Sequence, residues 1–252
     1  MDEKVPFISI IVLSRWICTH LLTNTLDSVL LQKRKNFELI LILSPEAERE
    51  NRIIQSYRAD LSHIYISLSS NSSYMMNCGT KFAQGRYLHF LTPGDYFLSY
   101  YATEKIEEFA KEKNFPDLLA TGYVLLNKKQ PPKINFKGDG PIPFADGFVQ
   151  RMTQAFLLKK STVESLEGFK YSYRGEGLDL ILQIYFANKH HIENWNIVLT
   201  EHEACRIPVH QIAVKDFLHI IKDILGWKAF FKYLFQQNPW QILLSLRELI
   251  CS

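Results

Sequence analysis

The stretch Thr92-Pro93-Gly94-Asp95 follows a short apolar run, Tyr87-Leu88-His89-Phe90-Leu91. The run reads as a buried strand, and the Pro-Gly pair as a tight turn that sets one carboxylate, Asp95, just past the strand's carboxyl end. An acid there suits a divalent cation, because Mg2+ and Mn2+ take hard oxygen ligands and share their shell with substrate phosphates. The same residue also suits a plain turn or a helix cap, where aspartate is common. Farther along, Glu176 and Asp179 lie three positions apart, which on a helix puts both carboxylates on one face. Such a face can take a proton from a hydroxyl within hydrogen-bond reach. It can equally be a first-turn acid pair favoured by the helix dipole.

Positioning these acids takes a frame, and the chain supplies one. Phe7 to Leu13 is a nearly continuous apolar run of the kind found in strands buried on both faces. Leu21, Leu22, Leu26, Val29 and Leu30 then recur at helical spacing. Phe37 to Leu43 reads as a second strand, residues 46–58 as a solvated helix, Ile64 to Leu68 as a third strand, and Tyr74 to Ala83 as a short helix before Gly85. Strands alternating with helices through residue 95 predict βαβ units, right-handed crossovers and a mainly parallel α/β sheet. Ligands of such sheets bind beyond the carboxyl ends of the strands, where Asp95 falls. Beyond it the pattern predicts a helix over 100–113, a strand over 118–126 and one long Pro- and Gly-rich loop from Lys128 to Phe144. A strand over 153–158, a capped turn over 161–166, a helix over 176–187 and a last strand over 192–199 follow. From His210 the pattern is helical and aromatic throughout.

At 252 residues the chain can bury one large core plus an appendage. A net charge of +3, scattered along the chain, argues against nucleic acid as a partner. Cys18, Cys78, Cys205 and Cys251 stand far apart with no paired spacing, which reads as reduced thiols rather than a disulfide frame or a zinc site. The charged amino terminus lacks a signal-peptide pattern, and no apolar run reaches the roughly 20 residues that span a bilayer. The expectation is a soluble or peripheral cytoplasmic protein.

The arrangement resembles the family-two glycosyltransferases of the GT-A fold over roughly residues 6 to 205. Ser9-Ile10-Ile11-Val12 resembles their first strand, and Leu26-Asp27-Ser28-Val29-Leu30-Leu31-Gln32 their first helix. Asn77-x-Gly79, Ala83, Gly85, Tyr87 and Phe90-Leu91 match the approach to the family's acidic metal motif. Phe148 to Asp179 is similar to the acceptor half, through Gln154-Ala155-Phe156, Lys159-Lys160-Ser161, Gly168-Phe169, Glu176 and Asp179.

The resemblance implies a Rossmann-like GT-A sheet flanked by helices, with a nucleotide-sugar half over 1–98, an acceptor half over 99–205 and a helical appendage over 206–252. It implies a UDP- or GDP-linked donor met by Ser14, Ser44, Asn77, Gly79 and Thr92, with Mn2+ or Mg2+ at Asp95 and His202. Glu176 would serve as base and Asp179 would orient its helix. The implied acceptor is a glycan or a lipid-linked molecule in cell-envelope or glycolipid synthesis, reached by an inverting displacement.

The chain departs from the family pattern in four places. Leu43-Ser44-Pro45-Glu46 stands where the family carries two aspartates, and the metal motif keeps only its final acid. Met76 replaces an arginine, and Gly177 occupies the usual position of the base. These departures leave a non-catalytic binding or scaffold relative as an alternative. A nucleotidyltransferase is a further one, although Ser14-Arg15-Trp16 is not the glycine-rich loop such enzymes carry. Lys159 and Lys160 could meet a phosphate or simply be solvated. The aromatics after His210, interleaved with Lys215, Lys222, Lys228, Lys232 and Arg247, suit either packed core or a membrane surface.

Overall fold

The first strand, β1 (Ile8–Ser14), is buried at every position, as its apolar run requires. In the computed structural model, which describes residues 5–15, 19–127, 130–135, 144–145, 148–149, 153–170, 177–186, 189–203 and 212–213, it lies at the centre of one half of a large sheet. It is followed by α1 (Thr19–Leu30), β2 (Phe37–Leu43), a 3-10 turn (Pro45–Glu50), α2 (Asn51–Tyr57), β3 (His63–Ile66), α3 (Ser72–Phe82) and β4 (Tyr87–Leu91). Then come β5 (Asp95–Phe97), α4 (Ala102–Glu112), β6 (Leu118–Asn127), β7 (Gln130–Asn135), β8 (Phe144–Ala145) and β9 (Phe148–Val149). The described chain ends with β10 (Phe156–Lys159), α5 (Lys160–Ser165), α6 (Leu178–Phe186), β11 (Ile192–Glu203) and β12 (Ile212–Ala213).

The main sheet runs β3-β2-β1-β4-β10-β6-β11-β5, with β7 paired to β6. The pairs among β3, β2, β1 and β4 are parallel, as is β6 with β11. β10 is antiparallel to both its neighbours, and β5 is antiparallel to β11. The sheet is thus mixed and mainly parallel, as expected.

Alternation along the strands divides the core in two. Ile8, Ile10 and Val12 face Leu22, Leu26 and Val29 of α1 and Ile106 and Ala110 of α4. Ile11 faces Met75 and Met76 of α3 and Ile181 and Ile184 of α6. Each such buried side chain contributes roughly 2 kcal/mol. α3 comes so close to the sheet that a Cβ on Gly79 would lie 2.5 Å from Ile11 Cγ2.

At the sheet's amino edge the main chain itself is in contact. Glu38 accepts from Ser9 Oγ at 2.6 Å and from the amides of Gln84 and Gly85 at 2.5 and 3.0 Å. This buried carboxylate thereby holds the link from α3 to β4 against β1 and β2.

The structure corrects three expectations. The stretch from Lys128 to Phe144 is not one loop: Gln130–Asn135 forms β7, antiparallel to β6. Pro131 and Pro132 fall at the register shift in that pairing, on an outer strand where proline costs no ladder bond. The solvated helix over 46–58 begins as a 3-10 turn. Ile212–Ala213, which the pattern reads as helical, pairs antiparallel with β9; the rest of the tail lies outside the described residues.

Candidate functional site

The carboxyl ends of β1, β2 and β4 share one edge, and most of the expected site residues that are described lie along it. Thr92-Pro93-Gly94-Asp95 has the composition of a type II turn, which wants proline second and a positive-φ residue third. Gly94 has φ 101° and the Asp95 amide donates to Thr92 O at 2.8 Å. Asp95 is 1% exposed, and its Oδ2 accepts from both Thr92 N at 2.6 Å and Thr92 Oγ1 at 2.8 Å. The turn thus carries its own acid in one fixed orientation.

α1 braces this turn through a stripe of polar side chains. Thr25 Oγ1 accepts from Gly94 N at 3.0 Å, and Ser28 Oγ accepts from Phe97 N at 3.3 Å. Gln32 donates to Ser99 O at 2.8 Å and accepts from Thr103 N at 3.1 Å. These are the serine and glutamine of the helix pattern noted in the sequence.

Next to the turn, Ser44 N donates to Ser14 O at 2.9 Å, extending the β1–β2 ladder. Both serines are fully buried. Ser44 Oγ donates to Arg15 O at 3.0 Å and accepts from Ala47 N at 3.2 Å, so it starts the 3-10 turn that follows. The Arg15 guanidinium, with its pKa lowered by burial, donates to Ser72 Oγ at the start of α3. Arg15 is a cation at this edge that motif reading passes over, because a lone arginine after a strand carries no spacing signal.

Asn77 and Gly79 sit on α3. The Asn77 side chain is engaged with the main chain of Phe169, donating to its carbonyl at 2.7 Å and accepting from its amide at 2.9 Å. Asp179 is fully buried in the first turn of α6, and its Oδ2 accepts from Lys170 N at 2.8 Å. Burial pushes its pKa up, against the opposing pull of nearby backbone amides. Glu176 lies outside the described residues. Gly177, where the resembled family carries its base, has φ 89°, and a Cβ there would lie 2.9 Å from Met76 Cε. Two of the family departures therefore pack on one another.

The backbone of His202 pairs opposite Asp95 across β5 and β11. Lys159 and Lys160 lie at the opposite edge of the sheet, where Lys159 pairs with Asp117 at 3.6 Å and Lys160 with Glu164 at 3.3 Å. Among the described residues no group of three His, Cys, Asp or Glu side chains is arranged to hold a metal ion. A cation at Asp95 would leave room in its shell for phosphate oxygens of a substrate, a mode Mg2+ favours.

Beneath the turn, His89 is fully buried, with Nε2 3.0 Å from Gln154 O and the ring 5.5 Å from that of Phe97. The carbonyl can only accept, so Nε2 carries the proton. Burial drives the imidazole pKa down to about 4, against smaller upward pulls from the Gln154 carbonyl and Asp95. A folded-state pKa below the unfolded value of about 6.5 gives stability that is present in full above pH ~6.5 and lost as pH falls toward 4. The loss amounts to roughly 3 kcal/mol over that window. The melting temperature is expected to drop accordingly between these pH values in the wild type, and His89→Gln should flatten the slope. An unchanged slope in the variant would place the acid sensitivity elsewhere.

Comparison with known proteins gives a fold. No family model matches the chain, and no curated protein matches it in sequence. Among solved structures, S. aureus TarS 1-349 in complex with UDP-GlcNAc superposes with a TM-score of 0.66 at 16% identity, covering 86% of this chain and 65% of that one. The complex of the same fragment with UDP gives 0.65 at 15% identity, with 86% and 64% covered. The mannosyltransferase PcManGT from Pyrobaculum calidifontis, in complex with GDP-Man and Mn2+, gives 0.61 at 12% identity, with 95% and 68% covered. The chain spans less than two thirds of the TarS chains. Among the described residues no helix is long and apolar enough to cross a membrane. The mixed sheet, its flanking helices and these superpositions identify the fold as GT-A.

Proposed function

We propose that the chain transfers a sugar from a UDP- or GDP-linked donor to a glycan or lipid-linked acceptor, by a single displacement with inversion. The observation that carries this reading is the Thr92–Asp95 turn. It is one fixed, buried carboxylate at the carboxyl edge of β4, on a fold shared with structures holding UDP, UDP-GlcNAc and GDP-Man.

In this reading the donor lies along the edge that Ser14, Ser44 and Thr92 build, the two serines supporting it from within, and Asn77 and Gly79 shape the α3 wall beside it. Asp95, with His202 on the facing strand, would hold Mn2+ or Mg2+, which when bound supplies positive charge for the leaving diphosphate. Thr92 keeps the Asp95 carboxylate aimed. Glu176 takes the proton of the acceptor hydroxyl as its oxygen bonds to the anomeric carbon and the bond to the diphosphate breaks. Asp179 holds the start of α6. Residues 1–98 form the donor half, 99–205 the acceptor half and 206–252 an appendage suited to a membrane surface, consistent with cell-envelope or glycolipid synthesis.

A melting series with nucleoside diphosphates and nucleotide sugars, with and without Mn2+, tests the reading. One nucleotide class should stabilise the protein by about 2.7 kcal/mol at 100 times its Kd, and only when the metal is present. No stabilisation by any of them would overturn it. Glu176→Gln should lower transfer about 100-fold with donor affinity unchanged, and wild-type turnover in that variant would move the base elsewhere.

Gly177 favours a second reading, a relative that binds the donor without transferring it. An aspartate at φ 89° against Met76 Cε would be strained, so the usual base position is closed to one. Donor binding with neither transfer nor donor hydrolysis, across a panel of acceptors, would select this second reading.

A further inference from the structure

We propose that Asn77 is a positioning residue: from α3 in the amino-terminal half, its side-chain amide grips the main chain of Phe169 in the carboxy-terminal half and fixes the turn that leads toward α6. The two halves meet here across 92 positions of sequence. Asn77 Nδ2 donates to Phe169 O at 2.7 Å, and Phe169 N donates to Asn77 Oδ1 at 2.9 Å. A carboxamide that meets both main-chain groups of one residue does the work of a strand neighbour, because it presents one donor and one acceptor side by side.

The surroundings are shaped for this contact. Past the end of α5 stand two successive left-handed residues, Glu167 at φ 60° and Gly168 at φ 75°. A Cβ on Gly168 would lie 2.5 Å from Asn77 Oδ1, so the amide can approach only because that position is glycine. The Phe169 ring is buried edge-on against Phe90 of β4 at 5.4 Å, two residues before Thr92. A second anchor follows at once, since Lys170 N donates to Asp179 Oδ2 at 2.8 Å. On the far side Gly177 packs between Met76 Cε and the Phe169 ring, where a Cβ would be 2.9 and 3.1 Å from them. α3 thus fastens the entry to α6, and Phe169 connects that fastening to the strand bearing the Thr92–Asp95 turn. Both polar atoms of the Asn77 side chain take part in this grip, and through it Asn77 would act on a substrate by way of Phe169.

Hydrogen exchange on the full chain, followed by kinetics, tests this. The substitutions are Asn77→Ala, which removes both bonds, and Asn77→Asp, which keeps the acceptor and loses the donor. Asn77→Asp also serves should Asn77→Ala fold poorly. In the folded variants, exchange of peptides covering residues 165–180 should rise at least tenfold, while peptides covering β1 and β4 stay within twofold of wild type. Unchanged exchange over 165–180, or an equal rise everywhere, would overturn the assignment.

The kinetic arm alone rests on the glycosyl-transfer reading. The acceptor KM should rise and kcat fall, together at least 50-fold in kcat/KM, with the Kd of UDP or GDP in Mn2+ within twofold. Loss of nucleotide affinity in step with transfer would make Asn77 a donor ligand and overturn the positioning role. If the wild type binds neither nucleotide, the transfer reading fails, and the exchange result still decides the clamp.

Discussion

Asp95→Asn is expected to leave the melting temperature within a few degrees of wild type while weakening Mn2+-dependent binding of a nucleoside diphosphate by about 100-fold, or about 2.7 kcal/mol. Asparagine keeps an oxygen for the two bonds from Thr92, so the turn and the α1 contacts at Gly94 and Phe97 stay in place. What it removes is the charge that a hard cation needs. Asp95→Ala would lose both the charge and the turn, and could not separate the two. Isothermal titration with UDP and GDP, with and without Mn2+, reads the effect directly. Asparagine binding as tightly as aspartate would end the metal role of this residue. Weakening by the same factor in the absence of metal would mean that Asp95 acts on the nucleotide itself.

Gly85→Ala should be severely damaging for a single added methyl. Its Cβ would lie 2.5 Å from Ser9 N and 2.7 Å from Ile8 C, main-chain atoms of a strand held on both sides by β2 and β4. Moving β1 away is not open to it, so the link before β4 must shift and loosen its bonds to Ser9 Oγ and Glu38. Overpacking together with a weakened buried carboxylate network costs about 4 kcal/mol or more, a fall in melting temperature of roughly 10 °C for a chain of this size. Gly79→Ala, whose Cβ meets the Ile11 side chain rather than backbone, should cost less. A Gly85→Ala protein melting within two degrees of wild type would show that the link absorbs the methyl.

The parallel core was open to reading because burial on both faces leaves a nearly continuous apolar run, and β2 and β4, each interrupted once, by Glu38 and by His89, begin and end where their runs do. β5 was not, since three residues give no periodicity. Its signal was the turn itself: a Pro-Gly turn directly after a buried strand reverses the chain, and Tyr96-Phe97 is what remains to pair. Asp95 was found at the expected edge, but its partners, Thr92 and the brace from α1, come from tertiary folding that no local pattern encodes. Beside the resembled family, Met76 and Gly177 stand as two separate departures, each lacking a polar group. Only their contact shows that the two changes fill one space, because residues a hundred positions apart carry no spacing signal. Asn77 was placed beside the nucleotide by motif; that both its polar atoms are engaged by Phe169 depends on a left-handed glycine whose φ the sequence does not spell out.

The stripe of Thr25, Ser28 and Gln32 has a consequence beyond bracing the site. β5 is the last strand of the sheet, and the Phe97 amide that a further strand would bond is donated to Ser28. A helix side chain thus takes the place of a neighbouring strand at Phe97, on a border that would otherwise invite pairing with another chain. At the opposite border, on β3, Ile66 is 42% exposed. By the bond from Phe97 to Ser28, pairing with another chain is discouraged at the strand that carries Asp95.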